Sequence, residues 1–593
     1  MAAAAAAVCV PAMAQTIGFS DVSSAAGLTG FTHSPNSLAV PGLNEWIMGG
    51  LGVGDFNNDG WPDFFVPRGG AGTDRLYINN GNGTFTNASV AWGVSAAHAG
   101  NGVACADFDR DGDTDIFVSS YGTGSDNLGQ IGKHRLYRNQ GTTFVEVAAS
   151  FGVNTSATTG SVANGVAWGD YDLDGDLDLA MAGWSSAHYG NKLFRNDGAS
   201  FADATPPALM SGVTWGFQPA IIDITGDGFP ELLIAADFET GRAFRNLANG
   251  QFALATGELG LGLDDNGMGH AIGDFDRDGR PDYYVTSIHM DQPNAGMYNG
   301  NTLYMQQASG NFVELASARG CSDGGWGWGT AAVDLNHDGW EDIVEVNGRN
   351  AGEWANEPEY IFQNLGGATF TRLGAATGLN LAADTRAVAT LDYDRDGDMD
   401  LLMLVNAGAI KLYRNNSAMA GRWLQVRLTA GANSRCAPHG FGAVVECTSG
   451  TVVQKRWMHG GSGYNSSSEH LLHFGIPTLK GTLEVKIDWP SGQTTLLSGV
   501  SANQRLKSPR RRARTSTQTA ASASTTSQRC CPRGNSPTAP SGRCARRTST
   551  TTARWVRRTS PWCSPTGPTD GIARFVQRAP RVRTMTGFRW RIP

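Results

Sequence analysis

Apolar residues along this chain fall in short runs, each cut off by Gly, Asn or Asp, and no long segment keeps a helical period. The runs recur in a fixed order. One leads into an acidic loop, and a second leaves it ("DFFVP", "DIFVS", "DLLML"). A third ends on an Asn/Gly turn ("LYINNGNGTF", "LYRNQGTTF", "LFRNDGASF"). A fourth opens on Phe, as in "FTNASVAWGV" (85–94), "FVEVAASFGV" (144–153) and "FTRLGAATGL" (370–379), with further copies at Phe201, Phe252 and Phe312. From that Phe to the next acidic loop the distance is 22 residues in five of six cases. Short apolar runs bounded by turn residues predict strands, so each repeat reads as four antiparallel strands, A to D.

The acidic loop between strands A and B follows D-x-[DNT]-x-D-G-x-x-[DE]. It occurs from Asp55, Asp107, Asp170, Asp223, Asp274, Asp334 and Asp392, at spacings of 52, 63, 53, 51, 60 and 58 residues. Seven in-phase copies make an array of supersecondary units. Four-stranded units repeated in this way predict an all-β fold, a seven-bladed β-propeller over residues 15–418. "FSDVSSAAGL" (19–28) matches strand D with no A, B or C before it, and the last unit has "LYRN" (412–415) with no D after it. The N-terminal strand therefore supplies the missing strand of the last blade.

Carboxylates this close repel one another unless a cation neutralises them. Calcium takes about six to eight oxygens, and the loop offers them. Position 1 gives the seven Asp named above. Position 3 gives Asn57, Asp109, Asp172, Thr225, Asp276, Asn336 and Asp394, and position 5 gives Asp59, Asp111, Asp174, Asp227, Asp278, Asp338 and Asp396. Position 7 offers the backbone carbonyl of Trp61, Asp113, Asp176, Phe229, Arg280, Trp340 or Asp398; position 9 gives Asp63, Asp115, Asp178, Glu231, Asp282, Asp342 and Asp400. Position 6 is Gly in every copy, where the chain must turn sharply. Magnesium fits less well, because it demands a rigid octahedron and retained water. An EF-hand needs an acid at position 12, yet here that position is Val66, Val118, Met181, Ile234, Val285, Glu345 and Met403, between strands and not helices. The expectation is up to seven structural Ca2+ ions, with the Asp223 loop the poorest site. These units resemble FG-GAP/VCBS-type repeats, the calcium-loop blades also seen in the integrin α-chain propeller.

Residues 422–506 read as a separate small β domain, with alternating runs "WLQVRL", "AVVEC" and "LEVKIDW". Asn433, Gly442-Ala443, Gly461-Ser462-Gly463-Tyr464, His473-Phe474-Gly475 and Trp489-Pro490-Ser491-Gly492 resemble the ASPIC/UnbV domain, although "CAPHGFGA" departs from its regularity. Propeller plus this domain is similar to the architecture of the cartilage acidic protein family, and that resemblance implies extracellular binding with no chemistry to carry over. Cys436 and Cys447 flank a predicted loop and are either a disulfide or two buried thiols.

Charge divides the chain. Residues 507–593 hold 19 Lys plus Arg and one acid, whereas residues 1–506 hold 27 basic and 53 acidic residues, a net charge of −26. That acidity argues against nucleic-acid binding. Residues 1–14, "MAAAAAAVCVPAMA", read as a signal peptide, which predicts secretion or a cell-surface or periplasmic location; no later run is long enough to span a bilayer. The Arg/Ser/Thr/Pro-rich tail from 507 reads as a disordered basic arm, a cysteine-containing module or the product of a reading-frame error.

No metalloprotease, P-loop or dinucleotide motif occurs. The one G-x-S-x-G, "GCSDG" at 320–324, sits in a β context rather than the strand–turn–helix that a nucleophile elbow needs. Long inserts fall on the face opposite the acidic loops. There Asn101, Asn164, Phe217, Met268, Trp328 and Arg386, each six residues before a loop, are expected to ring the channel mouth, with Trp326 close by. Aromatics among amides suit a glycan or an extracellular protein; packing inside the channel is the plain alternative for each of them. The functional expectation is extracellular recognition or adhesion. A lectin-like glycan binder and a polysaccharide-active enzyme on the same face are the alternatives.

Overall fold

The structure is a computed structural model. It describes residues 16–35, 47–70, 72–121, 133–155, 162–185, 191–209, 212, 214–291, 298–349, 352–355, 357–430 and 435–509. The leader at 1–14, Asn433, much of the inserts and the tail from 510 lie outside the described residues.

The fold is all-β, built from antiparallel four-stranded sheets. The first comprises Gly52–Gly54, Asp63–Val66, Arg75–Asn79 and Phe85–Asn87, paired in chain order. The same order recurs from Gly100–Ala106 to Phe144–Glu146, from Val162–Gly169 to Phe201–Asp203 and from Thr214–Ile222 to Phe252–Leu254. It recurs again from His270–Gly273 to Phe312–Glu314 and from Gly327–Val333 to Phe370–Leu373. The last sheet holds Thr385–Leu391, Asp400–Val405 and Ile410–Asn415, and its fourth strand is Phe19–Asp21, with Phe19 opposite Asn415 and Asp21 opposite Tyr413. The third and fourth sheets also join edge to edge through Trp184–Trp215 and Ser185–Thr214.

Strands A and B are buried on both faces, because each sheet is sandwiched between two neighbours. Apolar clusters lie in the gaps. Phe56 and Phe65 pack with Val103 and Tyr137 between the first two sheets, and Val53 and Phe64 pack with Leu402 and Leu412 between the first and the last. Outer strands bury only their leading Phe, as Phe85–Asn87 does.

Beyond residue 421 come two sheets. Leu472–Ile476, Arg422–Thr429 and Gln504–Pro509 form one, with Gln504–Pro509 parallel to Arg422–Thr429. Val452–Trp457, Val444–Ser449, Leu483–Asp488 and Thr494–Val500 form the other. The final strand runs three residues past the boundary expected at 506. Cys436 and Cys447 are both buried and are not bridged to each other. This domain's core of Leu424, Val426, Phe441, Phe474 and Trp489 is continuous with Phe108, Trp168 and Leu177 of the second and third sheets.

Candidate metal loops and the filled channel

Each acidic loop is held open by its own backbone. Position 4, left-handed at Asn58 (φ 58°), Arg110 (φ 63°) and Leu173 (φ 61°), and the Gly at position 6 (φ 88°, 98° and 98° in the same loops) reverse the chain twice. Those turns aim N–H groups inward. The position-7 N–H donates to the position-5 carboxylate in all seven loops, at 2.8–3.0 Å. The position-6 N–H donates to the position-1 carboxylate, as Gly112 does to Asp107 (3.1 Å) and Gly175 to Asp170 (3.0 Å).

The position-9 acid is the anchor. One of its oxygens accepts the position-2 N–H in every loop, at 2.9–3.2 Å. In the six loops where position 9 is Asp, the other accepts a backbone N–H from the end of strand C, for example Asn139 to Asp115 (2.8 Å) and Asn415 to Asp400 (2.8 Å). That strand-C residue makes a contact the sequence reading missed. Its carboxamide donates to the position-2 carbonyl of the preceding sheet's loop: Asn139 to Phe56, Asn196 to Phe108, Asn246 to Tyr171, Gln306 to Ile224, Asn364 to Phe275 and Asn415 to Leu335. Asn79 donates to Tyr393, linking the first loop to the last. The signal was visible as the Asn closing each "LYRN", but its partner was not.

Four loops bring three carboxylates together, with ligand oxygens within 4.8 Å of one another: Asp107, Asp109 and Asp115; Asp170, Asp172 and Asp178; Asp274, Asp276 and Asp282; Asp392, Asp394 and Asp400. Oδ1 of Asp107, Asp170, Asp392 and Asp394 is buried without a hydrogen-bond partner. Glu231 Oε1 and Thr225 Oγ1 are also buried without partners, so the loop that looked poorest in sequence presents two oxygens. Unpartnered buried oxygens beside other carboxylates fit a hard cation. Without one, burial and the neighbouring acids push Asp107 up to about 7 and Asp170 up to about 8. Burial likewise drives Asp115 and Asp178 well above the usual range, against the N–H bonds that favour the charged form. A dication would reverse that logic.

The expected ligand ring is placed differently from its sequence reading. Asn101, Asn164 and Arg386 are fully buried, Trp328 is 1% exposed, Phe217 and Met268 2%, and Trp326 7%. The reason is the C-terminal domain, whose loop "HGGSGYNSSSEH" enters the channel from the acidic-loop side. Its backbone bonds to the innermost strands on the way in and out: Gly463 exchanges bonds with His270 (2.7 and 3.0 Å), and Ser467 donates to Leu51 (2.8 Å) and accepts from Val53 (2.9 Å). Tyr464 sits at the tip, its ring 5.4 Å from Phe217 and 5.2 Å from Trp328, its hydroxyl donating to Ile47 O at 2.6 Å. Asn465 donates to Asn101 Oδ1 (3.2 Å), and Asn101 donates to Asn164 (2.9 Å). Arg386 lies over Trp328 (4.2 Å), and burial pulls its pKa down to about 10. The ring is packed around the chain's own tyrosine.

Exposed aromatics on that face lie farther out. Trp184 and Trp215, both half-buried, approach to 4.6 Å, and Phe238, 49% exposed, meets Trp215 edge-on at 5.6 Å. Trp184 Nε1 donates to Asp237 (3.2 Å), whose carboxyl burial raises to about 7.

The same C-terminal domain covers the loop face with charge. Arg427 pairs with Asp55 (2.8 Å), Arg456 with Glu341 (2.9 Å), and Arg505 with Asp392 (3.3 Å) and Glu469 (2.8 Å). His439 Nε2 accepts the Asp107 N–H at 3.1 Å, so that nitrogen is unprotonated.

Acidic loops at the A–B turns of an all-β array belong to a β-propeller fold, and residues 31–118, 170–234, 223–285 and 294–345 match the FG-GAP-like repeat family. Residues 433–515 match the ASPIC and UnbV family. The chain is homologous to cartilage acidic protein 1. It is 25% identical to the Mus musculus protein over 474 residues (66% of this chain, 70% of that one) and 26% identical to the Xenopus tropicalis protein with the same coverage. Over 212 residues it is 29% identical to the Homo sapiens protein, covering 33% of this chain and 29% of that one. Among solved structures it is similar to an Agrocybe aegerita lectin that recognises non-reducing terminal N-acetylglucosamine (TM-score 0.37, 16% identity, 62% of this chain, 94% of that one). It is also similar to the rhamnogalacturonan lyase PL11 of Bacillus licheniformis (TM-score 0.34, 15% identity, 62% and 71%).

Proposed function

We propose that this protein is a secreted, calcium-stabilised recognition or adhesion module whose seven sheets are the blades of one closed propeller. The closed ring is supported by the carboxamide links from Asn79 to Tyr393 and onward around the sheets, and by the strand Phe19–Asp21 in the last sheet. Calcium is supported by the buried carboxylate oxygens that have no other partner. Its role is structural, because the ion would neutralise carboxylates packed together at the A–B turns. The C-terminal domain itself serves as axle and cover, with Tyr464 closing the channel. An extracellular setting accords with relatives named for cartilage and with the leader-like residues 1–14.

One observation carries the recognition reading. The C-terminal domain pairs Arg427, Arg456 and Arg505 with the acidic-loop face, while the opposite face carries the exposed ring of Phe238 beside Trp184 and Trp215. Surface aromatics of this kind are where binding energy concentrates in recognition sites. Binding of the full chain to glycan and extracellular-protein arrays, alongside W184A and F238A variants, tests the reading. Hits abolished by both variants support it. Hits that survive both, or a blank from calcium-loaded folded protein, would overturn the assignment of that face.

A further inference from the structure

The loop beginning at Asp55 differs from the Asp107, Asp170 and Asp392 loops in how its charge is met. Every carboxylate oxygen it owns already has a donor. Asp55 Oδ1 accepts Gly60 N–H (3.2 Å), and Oδ2 accepts Arg427 Nη1 (2.8 Å). Asp59 Oδ1 accepts Trp61 N–H (2.8 Å), and Oδ2 accepts Asn57 Nδ2 (2.8 Å). Asp63 Oδ1 accepts Asn79 N–H (2.7 Å), and Oδ2 accepts Phe56 N–H (2.9 Å). In the Asp107, Asp170 and Asp392 loops, by contrast, the position-1 acid keeps Oδ1 buried and unpartnered, at 8%, 4% and 1% residue exposure. Position 3 also differs. The neutral Asn57 turns its amide into the loop, where those three loops hold Asp109, Asp172 and Asp394.

We infer that the Asp55 loop is a cation site whose cation is Arg427 of the C-terminal domain and not a metal ion. A guanidinium presents fixed N–H donors suited to a carboxylate and is always charged, so it supplies in one direction what a dication supplies radially. The pair is nearly sealed, with side chains 14% and 6% exposed. A buried charge that loses its partner is strongly penalised, so the arginine and the loop hold each other in place. Arg427 is carried by Arg422–Thr429, the central strand of its sheet, between the buried Val426 and Leu428, and so cannot swing away without moving the domain. The loop therefore works as a socket for the C-terminal domain, where the Asp107, Asp170 and Asp392 loops keep a buried, unpartnered oxygen for a metal ion. This refines the calcium reading, and its test separates the two.

The experiment counts ions. Full-length protein is loaded with calcium, desalted and weighed intact by native mass spectrometry, beside D55N, D107N and R427M. D107N is expected to hold one ion fewer than wild type, D55N the same number and R427M one more. D55N short by one ion would overturn the inference, as would R427M with an unchanged count. Should either single variant fail to fold, the D55N/R427M double variant decides: an unchanged count supports the arginine socket and a loss of one refutes it. A wild type with no bound calcium at all would sink the metal reading of the sister loops while leaving the Arg427 contact as it stands.

Discussion

Asn196 shows how one residue ties distant parts of the ring. Its Nδ2 donates to Phe108 O (3.0 Å) and Leu177 O (3.2 Å), and its N–H holds Asp178 (2.9 Å), all in the interior. Replacing it with Ala leaves both carbonyls buried and unpaired, at about 1–3 kcal/mol each. N196A should therefore unfold at clearly lower denaturant, by about 2–6 kcal/mol in total; a loss below about 1 kcal/mol would show that water replaces the amide. That "LYRN" ends on Asn is plain in the sequence, as is the phase of the repeat. The acceptor 88 residues away is not, because the motif specifies a turn locally while the contact exists only once two sheets pack. Left-handed Arg110 and Leu173 were equally invisible: their side chains carry no turn signal, and the Gly two residues later accounts for the loop by itself.

At the level of elements, what repeats is legible and what inserts is not. Strands announce themselves because each has a local apolar pattern and a bounding turn, repeated in register. The segment "GGSGYNSSS" announces only a loop. Its glycines signal close backbone approach, and at Gly461 an added Cβ would strike Pro219 O, but nothing local says that the approaching strands line a channel. The misplaced exposure of Phe217, Met268 and Trp328 follows from this one unseen insertion. Tyr464 is wholly buried, so Y464A would empty an aromatic-lined space at about 3–5 kcal/mol, while Y464F would leave Ile47 O without its donor at about 1 kcal/mol. Chemical denaturation of both variants checks the ranking, and equal losses would mean that the ring contributes nothing beyond its hydroxyl. Limited proteolysis should also find Y464A cut within 459–470 under conditions that spare the wild type; an identical digest would show that the loop stays seated without its aromatic tip.

The whole molecule sets two families of buried titratable groups against each other, and a bound dication would decide which one governs stability. Without metal, burial and mutual repulsion hold Asp170, Asp282 and Glu231 at about 8 and Asp107, Asp274 and Asp392 at about 7, against about 4 when unfolded. A raised folded pKa gives stability that is complete at low pH and is lost as pH climbs through the folded value, by about 1.4 kcal/mol per pH unit for each proton. The histidines run the other way. Burial depresses His33, His134, His270 and His470 to about 3 and His337 and His459 to about 4, so their contribution is complete above the unfolded value near 6.5 and fades as pH falls below it. Metal-free protein should accordingly gain thermal stability from pH 8.5 down to about 6.5, below which charging of the histidines on unfolding offsets the continuing gain from the acids and the rise flattens. Calcium-loaded protein, whose loop carboxylates stay ionised on the metal, should hold a plateau over the upper range and fall only on the acid side. Scanning calorimetry of both forms across that range reads the crossover. A metal-free Tm that declines steadily from pH 8.5 to 7 would mean that the loop acids are already neutralised within the protein, as Asp55 is by Arg427, and that calcium is not what the repeat was built to hold.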